Sequence, residues 1–196
     1  WVIAALATAA AVALYLKIPR GMLGDTQTMR DRIKVLNNPG VRPALLTTFL
    51  MMMGTNLPWI YVGAVVKDAQ LSADLLAIVL LCNGMGGVIA SMSFGRLSDR
   101  FGNRRVVMLA MIVQVCFLPV LIVMPHLPQV WRAPTLLATF AILGFFGWGY
   151  WIAHCSQMAH LAPSSVPVAI SLDMAALNIA IAIAAAVGGF IVDRWG

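Results

Sequence analysis

The chain has few charged residues and no glutamate at all. Charged residues make up 10% of its 196 residues, hydrophobic residues make up 61%, and all seven acidic residues are aspartate. Since about a quarter of the residues in an average soluble domain are charged, this composition excludes an ordinary soluble domain. It indicates a protein that lies in a membrane.

Cysteines are also few, and they lie in apolar surroundings. The chain has three, Cys82, Cys116 and Cys155, each within an apolar run. An odd number in such positions argues against a disulfide framework. We therefore expect free thiols that pack as small hydrophobic side chains.

Motifs of hydrolytic enzymes are absent as well. The sequence has no H-E-x-x-H and no G-x-S-x-G segment, which would mark a zinc site or a serine nucleophile. His154 and His160 are six residues apart, about 240° around a helix, and do not converge on one site. We expect no enzymatic activity, no metal ion and no cofactor.

Six apolar runs account for most of the sequence and predict an all-α bundle of membrane helices. A membrane helix needs roughly 20 apolar residues. The first run is shorter and rises only about 24 Å, and no basic segment precedes it as in a signal peptide. We interpret it as part of a truncated helix. The predicted spans are 1–16, 43–66, 75–94, 106–124, 135–158 and 167–192.

Basic residues are concentrated in the loops on one side of the predicted bundle. Six of the thirteen lie in loop 17–42 and four in loop 95–105. The positive-inside rule makes these loops, and loop 159–166 beside them, cytoplasmic. We expect a multi-pass protein of the cell membrane, a bacterial inner membrane. The basic run 30–34 could bind anionic lipid or nucleic acid, but topology explains it, so the expected partners include membrane lipid and no nucleic acid.

Two predicted spans, 75–94 and 167–192, carry small residues at helical spacing. Such residues let helix backbones approach closely, so we expect both helices to form packed interfaces. Spans 1–16 and 106–124 are almost wholly apolar and are expected to face lipid, with Gln114 bonded to a neighbouring helix. The small residues are Gly87, Ser91, Gly95, Ala180, Ala184, Gly188 and Gly189.

Spans 43–66 and 135–158 have the polar and aromatic residues of a cavity wall. Pro58 should kink or break the first of them, and interrupted membrane helices are tolerated where they line a cavity. The second has an aromatic face that suits a mainly apolar organic ligand; an aromatic belt at the membrane surface is the alternative. The candidate cavity residues are Asn56, Tyr61, Tyr150, Trp151, His154 and Gln157.

Asp173 is the one acidic residue well inside a predicted span. An ionisable group at such a position is costly and marks a functional candidate. Asp173 and His154 are therefore the candidates for proton coupling in this chain. Alternatively, Asp173 lies at the membrane interface, where the nearby helix N-terminus stabilises a carboxylate. The sequence leaves both interpretations open.

The charge-dense segment 95–107 lies between two apolar runs, and we expect it to be a short hairpin loop. It resembles the signature loop of the major facilitator superfamily of transporters, written roughly G-x-L-a-D-R-x-G-R-K-x-x-L. Asn103 replaces a basic residue of that pattern, and Val107 replaces its last leucine. The matching residues are Gly95, Leu97, Asp99, Arg100, Gly102 and Arg104.

Two further segments resemble one branch of that family, the drug:proton antiporters close to the arabinose-efflux-permease-like proteins. Gly144–Pro163 looks like the tenth helix of the branch, and Ser171–Gly189 looks like the eleventh. The branch commonly has a neutral residue where Asp173 stands, so no role carries over to Asp173.

The resemblance implies a twelve-helix transporter made of two six-helix halves. This chain would hold the end of helix six through helix eleven. Residues 17–42 would be the central cytoplasmic linker, and residues 43–196 would form the second half-bundle. The missing N-terminal half of the same transporter is then an implied partner.

The resemblance also implies a gate at the hairpin. In the family, the hairpin aspartate is held against a helix N-terminus of the other half and is oriented by nearby arginines. These roles would fall to Asp99, Arg100 and Arg104, with Arg105 beside them. The alternative is a hairpin that only signals cytoplasmic topology.

The function implied is secondary active export of small drug- or metabolite-like molecules, driven by proton antiport through alternating access. A proton gradient then takes the place of a cofactor, and the substrate is a small molecule. Uptake of a sugar or metabolite by symport is the alternative for the same fold. A six-helix membrane scaffold is a third interpretation.

Overall fold

The structure is a computed structural model that describes residues 2–17 and 34–195. These residues form helices and short connections and include no strand, so the predicted all-α bundle is confirmed. Most of the predicted linker 17–42 lies outside the described residues. The longer helices are α1 Val2–Lys17, α2 Val41–Ile60, α3 Val62–Asp68, α4 Leu75–Phe101, α5 Asn103–Val123, α6 Gln129–Leu161 and α7 Val166–Trp195.

Within the described residues, length and composition assign four membrane spans, or five if the bent pair of α2 and α3 is counted as one span. Helices α4, α5, α6 and α7 are each long and apolar enough to cross a membrane. The pair of α2 and α3 passes the same test as one bent span, and α1 contains a shorter apolar segment, Ala4–Ala13. The bundle therefore has the size of a half-transporter, as the resemblance implies.

The bend between α2 and α3 amounts to 53°. It lies at Tyr61, three residues after Pro58. Proline has no N–H for the helical ladder, and its ring crowds the carbonyl group four residues earlier. A break is present in this span, but it lies one turn after the proline, whereas the hydrogen bond that Pro58 removes would be one turn before it, at the carbonyl group of Gly54.

The arginine-rich segment is helical on both sides rather than a loop over 95–105. Helix α4 continues to Phe101, α5 begins at Asn103, and Gly102 alone connects them, with φ 84° and ψ 139°. Arginine favours helices almost as well as leucine does, so a membrane helix can continue past the hydrocarbon with its charged residues in water. Only a residue without a side chain adopts this backbone conformation readily.

Helix α6 lies in the middle of the bundle. It packs along α4 and α5 and also contacts α2 and α7, while α7 packs mainly along α2. Helices α4 and α6 approach closely because glycines of each helix face the backbone of the other. A Cβ atom at Gly86 of α4 would lie 2.5 Å from the carbonyl oxygen of Ala141. At Gly144 a Cβ atom would collide with the backbone of Asn83.

The small residues of α7 lie where helices meet. Ala180 and Ala184 are fully buried, Gly188 faces the ring of Tyr61, and Gly189 lies near its hydroxyl group.

The corresponding stripe on α4 is packed at only one of its positions. Gly87 faces Trp148, and a Cβ atom at Gly95 would meet nothing within 4 Å. Ser91 is exposed, with its hydroxyl group donating to the carbonyl of Val88. The close approach of α4 to its neighbour uses Gly86, one residue away from the predicted stripe.

Candidate functional site

A cavity of about 540 Å³ opens among α2, α4, α5, α6 and α7. Its volume is within the range of small-molecule sites, roughly 300–1,000 Å³. It is lined by Met52, Thr55, Asn56, Trp59, Leu80, Asn83, Gly84, Gln114, Leu143, Gly144, Gly147, Trp148, Trp151, Met174, Leu177 and Ile181.

The lining combines aromatic faces with uncharged polar groups. Three tryptophans, Trp59, Trp148 and Trp151, line the cavity, and none of the described residues around it is charged. The polar groups are a threonine hydroxyl and three amides, at Thr55, Asn56, Asn83 and Gln114. Such a lining can stack an apolar face of a ligand and hydrogen-bond its hydroxyl or carbonyl groups.

The two asparagines are held by backbone carbonyl groups. Asn83 Nδ2 donates to the carbonyl oxygen of Phe140 at 3.1 Å, and Asn56 Nδ2 donates to that of Met52 at 2.8 Å. These bonds fix the amide planes and leave both amide oxygens without a hydrogen-bond donor among the described residues. An amide oxygen accepts hydrogen bonds, so both are suited to the hydroxyl or N–H groups of a ligand.

A second polar group, the buried cluster, joins three helices through Thr48 of α2, Tyr150 and His154 of α6, and Asp173 of α7. All four residues are at most 1% exposed. Thr48 Oγ1 lies 2.7 Å from Asp173 Oδ1 and 2.8 Å from His154 Nε2. The tyrosine hydroxyl is 3.4 Å from Thr48 Oγ1. The rings of Tyr150 and His154 are stacked, with centroids 5.2 Å apart.

The heavy-atom distances of the buried cluster are consistent with the following set of hydrogen bonds. A threonine hydroxyl has one hydrogen and two acceptor sites. If Thr48 donates to the Asp173 carboxylate, then His154 Nε2–H and the Tyr150 hydroxyl fill its acceptor sites. His154 Nε2 is also 3.2 Å from Asp173 Oδ1. The hydroxyl oxygen of Thr48 therefore contacts both His154 and Asp173, and these two side chains also contact each other.

Two buried atoms of this cluster have no hydrogen-bond partner in the part of the chain that the structure describes. They are His154 Nδ1 and Asp173 Oδ2. Buried polar groups are usually paired, and each exception calls for an explanation. The carboxylate and the imidazole can each gain or lose a proton at these atoms.

The structure divides the predicted cavity residues between the two sites. Asn56 and Trp151 line the cavity, whereas Tyr150 and His154 lie in the buried cluster. Consecutive residues differ by about 100° around a helix, so Trp151 turns toward the cavity while Tyr150 turns toward α2. The predicted face of α6 therefore contributes to both sites, with Trp151 in the cavity and with Tyr150 and His154 in the buried cluster.

Tyr61 and Gln157 lie outside the cavity lining. The hydroxyl group of Tyr61 donates to the carbonyl oxygen of Ala185 at 2.8 Å, which ties the bend of α2 and α3 to α7. Gln157 lies beyond His154 on α6, and its Oε1 is buried without a hydrogen-bond partner among the described residues.

The lining residues that were not predicted include three with large or amide side chains on α2 and α4–α5, Trp59, Asn83 and Gln114, and Trp148 of α6. Gln114 was expected to bond a neighbouring helix, but it is 3% exposed and turned toward the cavity. Asn83 stands within a run of glycines on α4. A polar amide in an otherwise apolar or glycine-rich span was the available signal for both residues.

Asp173 lies neither in the cavity lining nor at an exposed interface, since it is 1% exposed. Burial between helices does not give the depth of Asp173 in a membrane, so both interpretations from the sequence stay predictions. Its contacts with Thr48 and His154 give the carboxylate specific partners on two other helices.

At the hairpin, Asp99 and the four arginines are exposed. The guanidinium group of Arg100 lies 5.4 Å from the ring centroid of Phe101. Asp99 has no ion pair among the residues that the structure describes. Asn103 Nδ2 donates to Ser156 Oγ at 2.8 Å and so fixes the start of α5 to α6.

Comparison with known proteins identifies relatives of the chain. One is the "Uncharacterized MFS-type transporter YtbD" of Bacillus subtilis, 24% identical over 174 residues, which cover 88% of this chain and 43% of the relative. Another is the "Probable sugar efflux transporter" of Helicobacter pylori, 23% identical over 201 residues, which cover all of this chain and 49% of the relative. The chain thus spans about half the length of these curated relatives. No solved structure matches it.

The sequence model of the Major Facilitator Superfamily matches residues 44–196. This match extends from the start of α2 to the end of α7 and includes the cavity, the buried cluster and the hairpin. The chain belongs to the major facilitator superfamily of transporters.

Proposed function

We propose that the protein exports small neutral organic molecules that carry hydroxyl or carbonyl groups beside an apolar face, and that proton antiport drives this export through alternating access. The cavity is then one half of the substrate site, and a second half-bundle completes it. The drug:proton antiporter branch is the part of the family in which we place the chain.

The observation that carries this proposal is the lining of the cavity. Three tryptophans provide stacking faces, and three amides and a hydroxyl provide hydrogen bonds. An isolated charge in such a lining would be costly to desolvate, and these residues offer no opposite charge to offset that cost. The lining therefore favours a neutral ligand over an anion.

The name of one relative supports export in general terms. The Helicobacter pylori protein is called a probable sugar efflux transporter, and tryptophan faces with amides also suit a sugar. Sugar uptake by symport would use the same lining, so only the direction of transport separates the two proposals.

We also propose that the exposed Asp99 latches the hairpin to the other half-bundle and that the hairpin end faces the cytoplasm. Exposure of Asp99 leaves its carboxylate open to a partner. A carboxylate at a helix N-terminus is stabilised by up to about 2 kcal/mol when partly buried.

Ligand binding to the purified full-length protein tests the proposed substrate class. p-Nitrophenyl β-D-glucoside carries hydroxyl groups on an aromatic face and quenches tryptophan fluorescence when it stacks. p-Nitrophenyl β-D-glucuronide differs only by a carboxylate. We expect the glucoside to bind at least about tenfold more tightly, because one desolvated charge without a partner costs more than about 1.4 kcal/mol.

A matched pair of tryptophan variants locates the binding. Trp151→Ala should weaken glucoside binding about tenfold, since it removes a stacking face in the lining. Trp131→Ala removes an exposed tryptophan at the start of the same helix and should leave the affinity unchanged. Equal affinity for glucoside and glucuronide, or equal effects of the two variants, would contradict the proposal.

A further inference from the structure

The buried cluster lies next to the cavity on each helix that it joins. On α2, Thr48 is one turn before the lining residue Met52. On α6, Tyr150 adjoins Trp151, and on α7, Asp173 adjoins Met174. We define the hairpin end of the bundle as the end that holds Gly102, the start of α2 and α7, and the end of α6. Thr48, His154 and Asp173 lie on the hairpin side of the lining residues of their helices, whereas Tyr150 lies level with the lining.

An apolar layer separates the buried cluster from the hairpin end. It includes Val41 and Ala44 of α2, Met158 of α6, and Val168 and Ala169 of α7, all of them buried. The cluster therefore has the cavity on one side and a dry layer on the other. Water from the hairpin end reaches the cluster only if these three helices separate.

Burial determines how costly each charge state of the Asp173–His154 pair is. With one proton shared between them, Asp173 and His154 are neutral in sum, either as carboxylate and imidazolium or as carboxylic acid and imidazole. Loss of that proton leaves a net charge of −1 in a site that is 1% exposed. An unpaired buried charge is costly, so proton loss favours an open state in which water solvates the carboxylate.

We infer that Asp173 and His154, positioned by the hydroxyl group of Thr48, form the proton-exchange site that couples the proton gradient to opening of the hairpin end. This inference rests on the proposed antiport. On release, the shared proton leaves from Asp173 Oδ2, an atom without a partner among the described residues, and passes to a water molecule, which leaves a carboxylate and a neutral imidazole. On loading, a hydronium ion from the other side of the membrane reaches the pair through the cavity and returns the proton, so that each cycle carries one proton toward the hairpin end.

The surroundings of the pair limit which groups can titrate with it. Helix α2 contributes only the Thr48 hydroxyl to the contacts. Helix α6 contributes Tyr150 and, within electrostatic reach of Asp173, Cys155. No lysine or arginine contacts the cluster within the described residues. The carboxylate therefore has the histidine as its one cationic partner there.

The test uses the full-length protein in liposomes and follows p-nitrophenyl β-D-glucoside in two modes. In the first mode a pH gradient drives accumulation, and one proton per substrate gives about tenfold accumulation per pH unit. In the second mode the probe exchanges across the membrane without a gradient. We expect Asp173→Asn to abolish accumulation while exchange stays within about twofold of wild type. Asp193→Asn, on an exposed turn of the same helix, should change neither mode.

The outcomes distinguish this inference from the proposed function. Gradient-driven accumulation in Asp173→Asn equal to wild type would overturn the inference and leave the antiporter intact. A loss of both modes together with a lower melting temperature would show a structural role only, which also overturns it. If wild type exchanges the probe but never accumulates it on a pH gradient, the proposed antiport itself fails.

A variant of Thr48 gives an independent test of the inference in which the Asp173 carboxylate is retained. Thr48→Val should move the pH at which exchange is half-maximal upward, because the Asp173 carboxylate loses a hydroxyl donor that favours its charged form. Thr139→Val changes a buried threonine of α6 outside the cluster and should leave this pH unchanged. Equal pH profiles for Thr48→Val and wild type would overturn the positioning role.

An infrared titration needs no substrate. A carboxylic-acid band that changes with pH in wild type and Asp193→Asn, and is absent in Asp173→Asn, supports the exchange site. Its persistence in Asp173→Asn would overturn the inference.

Discussion

At the scale of single residues, the positions with an unusual side chain in a membrane helix were predictable, but their partners were not. Asp173 and His154 stand out in the sequence because ionisable groups are rare within spans. Their contact with Thr48 depends on how α2, α6 and α7 are rotated about their axes. A rotation of about 100° moves a position by one residue, and the sequence does not determine rotations to that precision.

Gly102 offers a test at this scale. Its φ of 84° and ψ of 139° belong to a region that costs a residue with a side chain about 1–3 kcal/mol. Gly102→Ala should lower the free energy of unfolding by about that amount, measured by thermal unfolding in detergent. Gly63→Ala, at an open helical position of α3, should be neutral or gain up to about 1 kcal/mol. Equal stabilities would contradict the strained turn.

At the scale of helices, the sequence predicted the apolar helices and a break near Pro58, but it misplaced the boundary at the hairpin. The transition from apolar to charged residues near Gly95 marks where hydrocarbon ends, not where α4 ends. The small residues identified α4 as a packed helix, yet Gly86 rather than the stripe of Ser91 and Gly95 faces α6. The glycines of α4 lie on more than one face of the helix. Which of these faces packs against α6 depends on the position of α6, and the sequence of α4 alone does not show it.

The α4–α6 contact yields the prediction at this scale. In Gly86→Ala the new methyl group would lie 2.5 Å from the Ala141 carbonyl oxygen and 2.8 Å from the Phe145 nitrogen. Both are backbone atoms, so the helices must move apart, at a cost of about 1–3 kcal/mol. Gly54→Ala on α2 meets no atom within 4 Å and should not destabilise. A melting temperature of Gly86→Ala equal to that of Gly54→Ala would contradict the close approach.

At the scale of the whole molecule, composition sufficed for the membrane class, and the hairpin motif pointed to the superfamily that the match over residues 44–196 shows. The orientation of the hairpin end, the role of Asp99 and the second half-bundle stay predictions. They depend on a membrane and on chain segments beyond those that the structure describes.

The measurement that tests the account most directly is transport by inside-out membrane vesicles that contain the full-length protein. The lumen of such vesicles corresponds to the outside of the cell. With an acid lumen, outward flow of protons should drive p-nitrophenyl β-D-glucoside into the vesicles, to about tenfold per pH unit at one proton per substrate, and an ionophore that collapses the gradient should abolish this. Accumulation only with an alkaline lumen, or accumulation independent of the pH gradient, would contradict proton-driven export.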